Sequence, residues 1–99
     1  MVSFNLIKIS ANNFELSGDV VLASAASLVK IGKKILPKNI AEVRLNITNL
    51  HKIDVSTISV FLEWRRSGIN LSLSDDNEQF VSLLKSYKIE NVFNFYGSQ

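Results

Sequence analysis

The sequence predicts an α/β domain built on a mixed, mostly parallel sheet, with helices packed largely on one face. Three observations lead there. Short stretches of alternating polarity are separated by stretches of helical periodicity, in the order β-β-α-β-α-β-α. Strands joined through helices need crossover connections, which set those strands parallel. Glycine and proline are scarce, four and one in 99 residues, so the joining loops are short.

The first strand covers 2–10, where Phe4 and Leu6 alternate with Ser3, Asn5 and Lys8, although Ile7 and Ile9 blur the period. Ala11-Asn12-Asn13 is turn chemistry, because asparagine tolerates left-handed backbone angles. A short second strand, 14–17, completes a hairpin and closes at Gly18. Beyond it Val21, Leu22, Ala25, Leu28, Val29, Gly32, Ile35 and Leu36 recur at helical spacing. Asp19 suits the N-cap of that helix, Lys33 and Lys34 suit its negative end, and Pro37 stops it. Its small residues at 23–26 permit close approach to a neighbouring helix.

Residues 41–48 alternate cleanly, with Val43, Leu45 and Ile47 on one face, and 49–54 read as a loop. A second helix covers 55–67, capped by Asp54 and ended by Gly68 at the position that favours a left-handed residue. Ile69, Leu71 and Leu73 mark the next strand. Ser74 or Asp75 caps a third helix over 76–88, whose apolar set is Phe80, Val81, Leu83, Leu84 and Tyr87. The apolar tail 91–96 adds a last strand or packs on the core. The whole chain, 1–99, reads as one domain, because its length leaves no room for two cores.

Composition removes several kinds of chemistry. There is no cysteine, which excludes disulfides, thiolate metal sites and cysteine nucleophiles and fits a reducing, cytoplasmic setting. A single histidine, His51, leaves no His-rich metal site. The N-terminus lacks the basic region and cleavage site of a secretory signal, and lysines interrupt the longest apolar stretch, so no membrane span is expected. A net charge of +2 is a small surplus rather than a basic patch, and no nucleic-acid partner is expected. No glycine-rich phosphate loop is present, and His51, Asp54 and Ser56 stand together only as neighbours in one loop. Asp75, Asp76 and Glu78 are expected at a helix start on dipole grounds alone. No enzyme, metal or cofactor is therefore predicted.

The second helix is more informative. Val55, Ile58, Phe61 and Leu62 form one arc, the expected core stripe, while Val60 and Trp64 sit on a separate flank beside Thr57. The apolar surface is thus wider than one sheet contact needs. Trp64 either packs beneath a neighbouring helix or anchors a partner.

The segment Val43-Arg44-Leu45-Asn46-Ile47, a loop, and Ile53-Asp54-Val55-Ser56-Thr57-Ile58 leading into a helix resembles the STAS domain, the sulfate transporter and anti-sigma factor antagonist family. Leu16-Ser17-Gly18-Asp19 and the helix after it are similar to that family's first half, so the likeness runs over nearly the whole chain. Ser17-Gly18-Asp19-Val20 and Leu62-Glu63-Trp64-Arg65 most resemble the cytoplasmic STAS subunits of phospholipid-trafficking (Mla-type) ABC transporters. The chain departs from the family pattern at Asn46 and Thr48, at Val55 and at Thr57.

The resemblance implies a non-enzymatic subunit that docks on the transporter's ATPase subunit, and through it the permease, at the inner membrane. Its implied contact residues are His51, Asp54, Ser56, Thr57, Val60 and Trp64. An alternative follows from Ser56, which occupies the position phosphorylated in anti-sigma factor antagonists. On that reading Ser56 is a phosphosite and the partner is an anti-sigma factor kinase.

Overall fold

The computed structural model describes residues 3–97, so Val2, placed at the head of the first strand, lies outside the described residues. The elements are β1 (Phe4–Ser10), β2 (Asn13–Val20), α1 (Leu22–Ile35), β3 (Val43–Asn46), β4 (Leu50–Ile53), α2 (Val55–Arg66), β5 (Leu71–Ser74), α3 (Glu78–Ser86) and β6 (Asn94–Tyr96). They form a six-stranded sheet of order β1-β2-β3-β5-β6, with β4 also pairing β2. Only the β1–β2 hairpin is antiparallel, and the other pairings are parallel. The predicted class, a mixed and mostly parallel α/β sheet with three helices, is the observed one.

Register explains the two faces. Phe14, Leu45, Leu73 and Phe95 lie side by side on one face, with Leu16 and Leu6 continuing it. Most of that row is buried, and Phe95 at its edge is half-buried against the core. The opposite face carries Glu15, Arg44, Ser72 and Asn94, so it is polar. Ile7 and Ile9 belong to this open face, and both are exposed. That is why they blurred the period of β1.

Three local readings are corrected. The second strand extends to Val20, so Asp19 lies within β2 and accepts a hydrogen bond from the Lys52 N–H at 3.3 Å instead of capping α1. The N-cap of α1 is Val21, whose N–H donates to Ser24 Oγ at 3.2 Å. The stretch 49–54 contains β4, which continues along the β3 edge of β2 after a break at Ile47–Asn49. The N-cap of α3 is Asn77 rather than Ser74 or Asp75. Asn77 Oδ1 accepts from the Phe80 N–H at 2.9 Å, and Nδ2 donates to the Ile47 carbonyl at 2.7 Å. One buried amide thus starts a helix and secures the break between two strands.

The close approach between α1 and α2 occurs at Gly32, not at the small residues of 23–26. The Trp64 indole lies against the bare Cα of Gly32, where a Cβ would stand 2.1 Å from the ring. Its Nε1 donates to the Val29 carbonyl at 3.1 Å. Below it Phe61 packs against Trp64, Phe80 and Phe93 with ring centroids 5.5–6.1 Å apart. Such aromatic clusters bury large areas and prefer tilted or edge contacts.

Candidate functional site

In a parallel α/β sheet the strand C-termini and the helix N-termini meet at one end of the domain, where exposed loops gather. Here that end is assembled around Asp54. Its Oδ1 accepts from the Ser56 N–H at 2.7 Å, satisfying a free donor of the first turn of α2. Thr57 Oγ1 accepts from the Asp54 N–H at 3.3 Å and donates to the Val20 carbonyl at 2.8 Å. With Val20 paired to Ile53, these bonds tie the start of α2 to the end of β2, beside the start of α1. Asp54 is the cap the sequence predicts.

The six predicted contact residues separate into two groups. His51 is exposed, Asp54 is half-buried, and Ser56 is about 9% exposed at the rim. Thr57, Val60 and Trp64 are buried and are removed from any contact surface of the folded domain. The reason is geometric: α2 has α1 on one flank and the sheet with α3 on the other, so its wide apolar surface is filled from within. Trp64 takes the first of the two readings left open above, packing beneath a neighbouring helix. The core stripe of α2 is correspondingly rotated, with Val55 and Leu62 exposed and Thr57, Val60 and Trp64 inside.

Helical periodicity counts as core five residues that the structure exposes, Leu22, Ile35, Val55, Leu62 and Tyr87, and two of them belong to this end. Leu22, the first residue of α1, is 78% exposed, and Val55, the first residue of α2, is 49% exposed. Both stand at neighbouring helix N-termini, above the β2–β4 edge. A first-turn residue can fit the apolar period and still project past the end of the sheet, leaving nothing beneath it to cover. His51 makes no hydrogen bond to Asp54 or Ser56 among the described residues, so these three do not form a proton-relay arrangement.

A second cluster flanks the first. Thr48 Oγ1 donates to Asp76, 2.8 Å from both carboxylate oxygens, and Asn49 Nδ2 donates to Glu15 at 2.9 Å. Tyr96 closes the cluster, and its phenol is pushed above the ordinary value of 10.0 by burial, then by the Asp76 charge. Arg44, 5.0 Å from the centre of the Tyr96 ring, and the nearby Ser74 hydroxyl pull the other way. Among the described residues no three His, Asp or Glu side chains converge as a metal site. No helix among them is long and apolar enough to cross a membrane.

Charge is distributed unevenly between the two ends. The end just described carries Glu15, Asp19, Asp54, Asp75, Asp76 and Glu78, with Lys52 and, beside Tyr96, Arg44 as cations. The opposite end, where the helices finish, carries Lys33 and Lys34 in the last turn of α1, Arg65 and Arg66 in that of α2, and Lys85 in that of α3. Lys38 and Lys88 follow in the adjoining loops, against Glu42, Glu63 and Glu90. Hydrogen bonds from Asn39 N to Gly68 O at 2.9 Å, and from Arg65 to the Val92 carbonyl, bind those loops together. The small net surplus in the sequence therefore conceals a basic pole and an acidic one.

Comparison of the chain with protein-family models and with curated proteins finds no match.

Proposed function

We propose that this chain is a non-enzymatic, MlaB-like STAS subunit of a phospholipid-trafficking ABC transporter, docking on the cytoplasmic ATPase subunit at the inner membrane. The observation that carries the reading is the exposed apolar pair Leu22 and Val55. It stands beside Asp54, Ser56 and His51, within the loop and helix start whose sequence resembles the STAS segment. Exposed apolar residues ringed by polar groups are the usual anatomy of a docking patch, in which a few anchors carry most of the energy. The docking surface is therefore Leu22, Val55, His51, Asp54 and the rim of Ser56, without Trp64.

Co-purification with the cognate ATPase tests it. Leu22→Asp combined with Val55→Asp should abolish recovery of the ATPase while leaving the thermal unfolding of the domain unchanged. Retention of the ATPase by the folded double variant would overturn the surface. Trp64→Ala is unsuitable for this purpose, because it removes a core residue. The phospho-switch reading draws less support: Ser56 is about 9% exposed, so a kinase would reach its hydroxyl only after the start of α2 opened.

A further inference from the structure

We propose that the basic pole, at the opposite end from the docking patch, is a peripheral contact surface for an anionic lipid bilayer. The proposal goes beyond the docking reading and does not depend on it. Its cations come from three helix ends and two loops, so they are spread over one end of the domain and do not converge on a pocket. Glu63 occupies Lys33 at 3.1 Å and Arg66 at 3.4 Å, and Glu42 is taken by Arg44 at 3.1 Å. Lys34, Lys38, Lys85 and Lys88 are exposed, with no ion pair among the described residues. Lys38 also donates to the Lys33 carbonyl at 2.8 Å, but none of the four has a carboxylate partner, and cations spread in this way suit a diffuse anionic surface better than a single phosphate.

Apolar side chains at the same end choose the occupant. Ile35, the last residue of α1, is 41% exposed, and Tyr87, the C-cap of α3, is 54% exposed. Each is next to a lysine, Lys34 and Lys88. An aliphatic or tyrosine side chain flanked by lysines is suited to the bilayer interface, where the ring or methyl groups sit among headgroups and the ammonium groups meet phosphates. A nucleic acid would use the charges and leave the apolar groups idle. Arg65 and Arg66 take no part, since Arg65 donates to the Val92 carbonyl and Arg66 pairs with Glu63.

Vesicle sedimentation of the intact chain tests the proposal, using phosphatidylcholine vesicles with and without one-third phosphatidylglycerol. Binding to the anionic vesicles alone is expected at low salt, weakening at about 0.15 M, where the screening length is about 8 Å. A cation near such a surface is worth about fivefold in affinity, so Lys34→Gln with Lys38→Gln should lose about twenty-five-fold. Ile35→Ser with Tyr87→Ser should weaken binding further while leaving its salt dependence unchanged. The proposal is overturned by no binding to anionic vesicles at low salt, or by equal binding of the lysine double variant. It is also overturned if soluble polyglutamate or duplex DNA binds as tightly as the vesicles, or if the apolar pair proves neutral.

Discussion

The two ends of this domain are held together by different forces. At the acidic end, polar ties dominate: Asp54 and Thr57 lock α2 to β2, Asn77 joins α3 to the β3–β4 break, and Thr48 holds Asp76. At the basic end, an indole is pressed into a gap left by a missing Cβ. Cations favour helix ends and carboxylates favour helix starts, a preference of a few tenths of a kcal/mol to about 1 kcal/mol each. All three helices end in cations, while at the starts only Asp54 at the cap of α2 and Glu78 in the first turn of α3 follow the matching preference, α1 having no acid there. Because parallel strands align the three helices, the basic ends gather at one pole. The polar end is thus directional and exposes its anchors, whereas the basic end is diffuse and rests on tight apolar packing.

The largest effect expected from breaking this contrast is at Trp64. Trp64→Ala should cost about 3–5 kcal/mol in chemical denaturation, the usual range for an aromatic core truncation. Gly32→Ala should cost about 1–3 kcal/mol, because the new methyl meets the indole. In the Trp64→Ala background the sign should reverse, with Gly32→Ala stabilising by about 1 kcal/mol through helix propensity and a smaller cavity. Additive costs in the double variant would show that the indole and Gly32 are not in contact.

At the acidic end the corresponding change is Asn77→Ala, expected to cost about 2 kcal/mol through loss of the cap and of a donor to a buried carbonyl. Asn77→Asp separates the two contributions. It keeps the acceptor for the Phe80 N–H, removes the donor to Ile47, and places a carboxylate against a carbonyl oxygen. If Asn77→Asp is as stable as the parent in urea, the tie to Ile47 contributes nothing. By contrast, Leu22→Asp and Val55→Asp should change stability by no more than about 0.5 kcal/mol, as exposed positions do, while removing partner recovery.

How far these features could be read in advance depends on whether a residue's role is local. Alternation and helical period were enough for Val43, Leu45 and Ile47, for Leu28 and Gly32 of α1 and for Phe80 and Leu84 of α3, because burial on a sheet face repeats with the element, but the same period also counted Ile35 and Tyr87, which are exposed at the helix ends. The cap at Asp54 is also local, set by its own backbone neighbours. The strand Leu50–Ile53 was not legible, since His51 and Lys52 break its pattern and its identity comes from the free edge of β2. The side of α2 that holds Trp64 depended on where α1 lies, and α1 comes close at Gly32, not at Ala23 or Ala26. Leu22 and Val55 were hidden for the converse reason: period identifies an apolar face and cannot show where the sheet beneath it stops.

The smallest effect probes the acidic end through Tyr96. Burial comes first in raising its phenol above 10.0, and the Asp76 and Asp75 charges add to it, while Arg44 and Ser74 oppose. A group that holds its proton more tightly when folded contributes stability that is complete below its unfolded value. That contribution is lost as pH rises from 10 through the raised folded value. The domain should therefore weaken in strongly alkaline solution, and Tyr96→Phe should flatten that limb of the stability curve. Asp76→Asn keeps an oxygen for Thr48 and removes the charge, so ultraviolet difference titration should find the phenol ionising at lower pH in that variant. Lys34→Gln, at the far pole, should leave the phenol where it is, because charges separated by more than the screening length hardly interact. A Tyr96 titration equally sensitive to both substitutions would mean that the carboxylates around β5 and β6 do not form a local acidic field.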